Sequence, residues 1–144
     1  MTRKFIIATA IATAIMGASA PAMANSLFIE QYGFGNGAGG EQAGVGNSIG
    51  VYQDGVWNTT ISKQYGNGNT AATGQQGFNN YSDTWQNGHG NAAGVGQFGA
   101  NHTSVLTQDG NGNIAAGVQV GNGCDAAVSQ GGSGNVAAFV QTCP

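Results

Sequence analysis

Polar side chains at fixed spacing, rather than large apolar ones, organise this chain. Glutamine recurs every eleven residues from Gln31 to Gln141, and glycine stands two residues after each of the first ten glutamines. Five residues after each of those ten stands asparagine, except at His102 and Cys124. Such a repeat determines the architecture, so it is considered before any single residue. The unit Q-x-G-x-x-N-x-(small)-x-x-x comprises the glutamines Gln31, Gln42, Gln53, Gln64, Gln75, Gln86, Gln97, Gln108, Gln119, Gln130 and Gln141, the asparagines Asn25, Asn36, Asn47, Asn58, Asn69, Asn80, Asn91, Asn113 and Asn135, and the turn glycines Gly33, Gly44, Gly55, Gly66, Gly77, Gly88, Gly99, Gly110, Gly121 and Gly132.

The seven residues from asparagine to glutamine predict a β-strand, and the four that follow, one of them glycine, predict a turn. Glycine at this density excludes a helix. Alternate side chains of a strand share a face, so the asparagine, the small residue, the residue two further on and the glutamine are expected to point inward. The inward pairs carry no charge, whereas all six acids and Lys63 fall on outward or turn positions. These pairs are Leu27/Ile29, Ala38/Gly40, Ile49/Val51, Thr60/Ser62, Ala71/Thr73, Ser82/Thr84, Ala93/Val95, Ser104/Leu106, Ala115/Gly117, Ala126/Val128 and Ala137/Phe139.

The departures from the unit indicate that two units make one coil. Counting strands from Asn25, every odd-numbered strand begins with asparagine, whereas His102 and Cys124 both begin even-numbered ones. A true repeat of 22 residues explains this alternation, with odd strands stacked on odd and even strands on even. The predicted fold is all-β: a two-sheet β-solenoid of the cross-β amyloid type, with about five 22-residue strand-turn-strand-turn coils that each rise ~4.8 Å.

The first 24 residues differ in character from the repeats. Two basic residues precede an apolar run, Phe5 to Met16, and the segment PAMA ends at Ala24 as an A-x-A cleavage site. This pattern predicts a secretory signal peptide over residues 1–24, too short to span a membrane, followed by the repeat solenoid over residues 25–144. Cleavage after Ala24 would coincide with a repeat boundary, since Asn25 falls on the asparagine position.

Composition narrows the classes of function. Without the predicted signal peptide, Lys63 is the one Lys or Arg against six acids, so the net charge is 1 − 6 = −5. No basic patch is present for nucleic acid. The apolar residues are mostly alanine, so a bulky core is not expected. A chain rich in Gly, Asn and Gln could be disordered, but disorder needs no fixed period.

The motif Q-x-G-x-x-N-x-A-x-x-x-Q, doubled and repeated about five times behind a signal peptide, closely resembles the curlin repeat. Curlins are the subunits of curli, the amyloid fibres (pili) of bacterial surfaces. The resemblance implies a secreted subunit that passes through the periplasm and a dedicated outer-membrane pore, polymerises on a nucleator, and supports biofilm and adhesion. The major fibre subunit is favoured over the minor nucleator, because nucleators usually carry more basic residues.

Stacked coils would set each Asn and Gln above its copy in the next coil. Each side-chain amide could then donate upward and accept from below, forming amide ladders. The first and last coils would lack such partners, and an unpaired buried amide costs about 1–3 kcal/mol. They also expose unpaired backbone, and the first strand, NSLFIEQ, is the most apolar of the chain, with Glu30 as its single charge. The repeats themselves therefore predict homopolymerisation.

Cys124 and Cys143 are the two cysteines of the chain. Cys143 occupies the glycine position of an eleventh unit, one coil above Gly121, and Cys124 lies three residues after Gly121, across the same turn. That placement allows a disulfide that ties the last coil to the one beneath it, in a compartment where disulfides persist. The alternative is two free thiols.

No constellation of residues indicates catalysis or ligand binding. His89 lies in a turn and His102 at an asparagine position, with no repeated carboxylate beside them, so neither is expected to bind metal. The segment DGNGN, Asp109 to Asn113, begins like an EF-hand loop, but Val120 stands where the bidentate glutamate belongs. Short G-x-G patterns lack a strand–turn–helix context. We expect no enzyme activity, cofactor, metal or small-molecule substrate.

A monomeric β-solenoid that binds a surface or ice is the rival interpretation from another class. Such a protein needs a flat outward array of repeated threonines, together with caps at both ends. The outward positions run Gly37, Ser48, Thr59, Thr70, Tyr81 and Ala92, which form no regular face.

Overall fold

The computed structural model describes residues 24–144, so residues 1–23 of the predicted signal peptide lie outside the described residues. The described chain forms eleven β-strands in immediate succession, each of nine residues except the last, which has eight. They are β1 (Ser26–Phe34), β2 (Gly37–Val45), β3 (Ser48–Val56), β4 (Thr59–Asn67), β5 (Thr70–Phe78), β6 (Tyr81–His89), β7 (Ala92–Ala100), β8 (Thr103–Asn111), β9 (Ile114–Asn122), β10 (Asp125–Ser133) and β11 (Val136–Cys143).

The strands form two parallel sheets. The odd sheet has the order β1-β3-β5-β7-β9-β11, and the even sheet has the order β10-β8-β6-β4-β2. Each strand pairs with the strand 22 residues away, so that Gln31 lies opposite Gln53 and Gln42 opposite Gln64. The predicted two-sheet β-solenoid with 22-residue coils is confirmed.

The strand boundaries differ from those predicted. The predicted strand ends at glutamine, but β3 continues through Asp54 and Gly55 to Val56, and two residues remain between strands. The predicted four-residue turn was wrong, because the turn backbone is itself stacked: Gly55 pairs with Gly77 and Val56 with Phe78 in the next coil. A turn that repeats in register extends the ladder of hydrogen bonds around the corner.

The core is a narrow layer between the two sheets. The predicted inward pairs from Ile49/Val51 to Ala115/Gly117 are buried, and Ile49, Val51 and Leu106 are 1% exposed. More polar than apolar side chains are buried there. The inward residues of the first coil differ, since Leu27 is 50% and Ile29 38% exposed. Apolar burial alone is therefore small, and the polar layer must be satisfied by hydrogen bonds.

Candidate functional site

Glutamine side chains form two continuous ladders in the core, one along each sheet. In the odd sheet Nε2 of Gln53 donates to Oε1 of Gln75 at 2.7 Å, and Gln75 donates to Gln97 at 2.7 Å. In the even sheet Gln64 donates to Gln86 at 2.7 Å. All five glutamines of these three rungs are at most 1% exposed. The other rungs join Gln31 to Gln53, Gln97 to Gln119, Gln119 to Gln141, Gln42 to Gln64, Gln86 to Gln108 and Gln108 to Gln130.

The same amide nitrogens also donate across the core to the backbone. Nε2 of Gln75 lies 3.0 Å from the carbonyl oxygen of Thr59, and Nε2 of Gln86 lies 3.0 Å from that of Thr70. Because a carbonyl oxygen only accepts, this contact identifies which end of the amide is the nitrogen. Every rung therefore points the same way, from each glutamine to the glutamine 22 residues later.

The asparagines lie at the corners and differ from the prediction of a purely side-chain ladder. Oδ1 of Asn47 accepts from the backbone N–H of Asn69 at 3.0 Å. Nδ2 of Asn69 donates to the carbonyl oxygens of Tyr65 at 3.3 Å and Gly88 at 3.0 Å. Asparagine is one methylene shorter than glutamine, so its amide meets the backbone of the corner first. Side-chain rungs between asparagines occur between Asn80 and Asn58 and between Asn135 and Asn113.

His102 takes over the contacts of the asparagine that it replaces. Its backbone N–H donates to Oδ1 of Asn80 at 3.1 Å, and its Nδ1 accepts from the backbone N–H of Cys124 at 3.1 Å. The remaining ring nitrogen, Nε2, lies 3.2 Å from the carbonyl oxygen of Phe98, so it carries the proton. Both ring nitrogens of this fully buried side chain are engaged in the corner.

The ten turn glycines occupy a backbone conformation that excludes a side chain. Gly55 has φ 130°. A Cβ on Gly55 would overlap the carbonyl oxygen of Gly77 in the next coil, and the same holds for Gly66 and Gly88 with the glycines above them. Close stacking of corners therefore requires glycine twice, for the dihedral angle and for the space.

A second left-handed position, not predicted from the sequence, precedes each corner residue from Asn36 to Asn135. Gly46 and Gly68 have φ near +66°, but Trp57 (φ 60°), Asn79 (φ 54°) and Asn101 (φ 57°) hold the same conformation without being glycine. The signal was the glycine that precedes most of the asparagines. At Trp57 the indole packs edge-on to Phe34, with ring centroids 5.5 Å apart. That contact offsets part of the strain of a left-handed tryptophan.

The two ends of the described solenoid are open and chemically different. We call the edge made by β1 and β2 the N-terminal rim, and the edge made by β10 and β11 the C-terminal rim. Among the described residues no group donates to Oε1 of Gln31 or Gln42, whose nitrogens already donate upward. At the C-terminal rim, Nε2 of Gln130 and of Gln141 has one acceptor each, a backbone carbonyl. One rim therefore offers acceptors and the other donors.

A disulfide lies beside the C-terminal rim. The structure joins Cys124 and Cys143, with Cα atoms 5.6 Å apart, and the described residues hold no free cysteine. The bridge links the corner that precedes β10 to the end of β11. Cys124 is 1% exposed and stands at an asparagine position, so sulfur replaces an amide there.

Three outer tyrosines lie beside carboxylates. The pKa of Tyr32 is raised chiefly because its hydroxyl donates to Glu30, and the pKa of Tyr65 is raised chiefly by its hydrogen bond to Glu41. Burial, and then the charge of Asp83, raises the pKa of Tyr81. Each pair belongs to the outer surface and takes no part in the core ladders.

The described residues contain neither a candidate metal site nor a helix that could cross a membrane. Residues 24–144 contain no group of three or more His, Cys, Asp or Glu side chains that could hold a metal ion. In that same part of the chain, no helix has the length and apolar character needed to cross a membrane.

The repeats that form the core match the model of a known protein family. The profile of the curlin associated repeat matches residues 23–55 and 79–110, which correspond to β1–β3 and β6–β8. The chain carries curlin associated repeats. The matched segments include six of the eleven repeat glutamines of this curlin-repeat chain, together with corner asparagines and turn glycines. A search of curated proteins finds no significant match.

Proposed function

We propose that this curlin-repeat chain is a secreted structural subunit that self-assembles into curli-like extracellular amyloid fibres, as the major subunit, and supports biofilm matrix and adhesion. The observation that carries the proposal is the pair of open rims: each ends in an unpaired strand edge, and one offers amide acceptors where the other offers donors. A further copy stacked on either rim would pair that rim's strand edge and its open amide groups.

Within residues 24–144, no proline and no covering element protects the N-terminal rim against such addition. Natural edge strands are usually blunted by charge, proline or a covering element. Strand β1 has Glu30 as its one charge, and Leu27 and Phe28 are 50% and 61% exposed. Burial of apolar surface adds about 25 cal/mol per Å² to the backbone and amide bonds gained on stacking.

The proposal includes an N-terminal signal peptide over residues 1–24, cleaved before Asn25, and export through the periplasm and an outer-membrane pore. The partners are further copies of this chain, a curlin nucleator and the pore. Its activity is structural rather than enzymatic, in keeping with a family of amyloid subunits.

Assembly of the purified chain tests the proposal. Residues 25–144, kept at neutral pH, are expected to form fibres that bind amyloid dyes and give reflections near about 4.7–4.8 Å and about 10 Å. A chain that stays monomeric for days without these reflections would contradict it and favour the monomeric solenoid.

Cross-seeding separates the major subunit from a nucleator. Fresh chain is mixed at a low ratio with a partner curlin, and the lag before dye binding is measured. A major subunit is expected to leave the partner's lag unchanged and to have its own lag shortened by a nucleator. A shortened partner lag at low ratio would assign the nucleator role instead.

A further inference from the structure

The number of strands is specified by residue identities as well as by the pattern of pairing. Eleven residues before Gln31 stands Ala20, and Ala22 stands where a turn glycine would be needed, so the repeat does not extend below β1. Above Gly121 the glycine position is Cys143, which is bridged to Cys124 and followed by a proline without an N–H. Residues 24–144 thus form an odd number of strands, with six in one sheet and five in the other.

The direction of the amide rungs sets the polarity of any junction between copies. Oε1 of Gln31 and of Gln42 points outward at the N-terminal rim and accepts no hydrogen bond from the described residues, whereas Nε2 of Gln130 and Gln141 has a second hydrogen to donate beyond its bonds to Ile114 (3.0 Å) and Asp125 (3.1 Å). Like rims would bring acceptors to acceptors or donors to donors. Unlike rims pair donor with acceptor, so the copies stack head to tail.

The odd strand count then sets the rotation between copies. If β1 of an incoming copy lay on β11, its β2 would stand two levels above β10 and leave one strand missing from the even sheet. A half-turn about the solenoid axis removes that gap, because it exchanges the two sheets and reverses the strand direction. Strand β1 then lies on β10, and β2 lies on β11.

Core shape favours the same junction. The ring of Phe139 fills the space that a Cβ on Gly117 would occupy in the strand beneath. After a half-turn, Gly40 of the incoming β2 lies above Phe139, so the ring has no side chain directly above or below it. Without the half-turn, Ile29 would lie there. The exposed Leu27 and Ile29 would instead cover the small Ala126 and Val128.

We propose that a second copy of this chain docks on the C-terminal rim after a half-turn, with β1 on β10 and β2 on β11, and that repetition of this contact builds the filament. The inference rests on the proposed function of self-assembly. Gln31 continues the ladder of Gln130, and Gln42 continues that of Gln141. A head-to-tail contact of this kind does not close on itself, so it generates an open filament.

Site-directed crosslinking tests the junction. Chains of residues 25–144 carry Phe28→Cys, Ala127→Cys or Ala138→Cys, all on exposed outer positions, with the native bridge retained. Equal amounts of two variants assemble together, a short bifunctional maleimide is added, and the fibres are dissolved and analysed by mass spectrometry. The half-turn predicts dimers linked between positions 28 and 127 in the first mixture and no dimer linked between positions 28 and 138 in the second.

Three outcomes would overturn the junction while fibres still form. Links between 28 and 138 would show stacking without rotation, links between two copies of position 28 would show rims of the same kind in contact, and fibres with no link in any mixture would exclude both rims. Should these variants fail to assemble, Glu30→Cys with Ser129→Cys or Val140→Cys poses the same question. Failure of the unmodified chain to form fibres refutes instead the proposed function.

Discussion

At the residue scale, hydrogen-bond partners rather than polarity decide what each buried side chain contributes. Thr60 and Thr73 are both buried in the core, as the second residue of β4 and the fourth residue of β5. The hydroxyl of Thr60 donates to Oε1 of Gln75 at 2.9 Å and accepts from Gln53 at 3.3 Å. The hydroxyl of Thr73 is buried without a partner among the described residues. An unsatisfied buried hydroxyl costs free energy that a bonded one does not.

Replacement by the isosteric valine should separate the two threonines. Thr73→Val is expected to raise the free energy of unfolding by up to about 1 kcal/mol, because it removes an unpaired polar atom, whereas Thr60→Val should lower it by about 1 kcal/mol. The midpoint of fibre dissolution in guanidinium measures both. Equal shifts in the same direction would contradict this account.

A single change of charge tests the glutamine ladder. Gln75→Glu removes the N–H groups that reach Gln97 and Thr59, and at neutral pH it buries a carboxylate, at a cost of about 3 kcal/mol or more. Burial raises the pKa of the new carboxyl in the folded state. Stability is therefore retained below the ordinary value of about 4.3 and is lost as pH rises through the raised value.

Assembly of Gln75→Glu should accordingly be slow at pH ~7 and partly restored near pH ~4, as followed by dye binding. Gln76→Glu is the matched control, since Gln76 is the exposed neighbour on the outer face. A ladder without energetic importance would leave both variants alike at the two pH values.

At the scale of the element, most of the fold could be predicted because the period of the polar residues fixes the register. The strands, their inward faces and the 22-residue coil all follow from the spacing of glutamine, glycine and asparagine. The strand ends could not be predicted, since only stacking of Gly55 on Gly77 brings the turn into the ladder. The left-handed corner at Trp57 and the backbone bonds of Asn69 likewise depend on a neighbouring coil.

The left-handed conformation and close packing of the turn glycines can be tested by substitution. Gly66→Ala would place a methyl group against the carbonyl of Gly88 at φ 113°, so it should cost about 1–3 kcal/mol in backbone strain alone. Gly74→Ala is the control, because a Cβ at Gly74 would meet no atom within 4 Å and the φ of Gly74 lies outside the left-handed region. It should be neutral or stabilising by about 0.4–1 kcal/mol. Guanidinium dissolution compares them, and equal losses would refute the role of the corner.

The disulfide that holds the last strand can be tested separately. Cys143→Ser opens the link across 19 residues and is expected to destabilise the C-terminal strand by about 3 kcal/mol. Hydrogen exchange should then accelerate in β11 and leave β3 to β6 unchanged, with Thr142→Ser as the neighbouring control. Uniform acceleration along the chain would mean that the solenoid unfolds as one unit.

At the scale of the whole molecule, the length of the solenoid along its axis is proportional to its number of coils. Eleven strands with a half-turn between copies give an axial repeat of about 26 Å per subunit. Deletion of residues 69–90 removes one coil and rejoins Gly68 to Asn91, which preserves the glycine–asparagine corner. The half-turn should persist and the repeat should fall to about 22 Å, as measured by electron microscopy of the fibres. An unchanged repeat would exclude end-to-end stacking of coils.

The bridge between Cys124 and Cys143 makes the order of the C-terminal rim depend on the redox state of its surroundings. Disulfides persist in oxidising compartments and are reduced in the cytosol. A copy held under reducing conditions would keep its upper edge unfastened, so that the surface which receives the next copy would be least ordered there. Fibre growth would therefore be slower under reducing conditions than under oxidising ones.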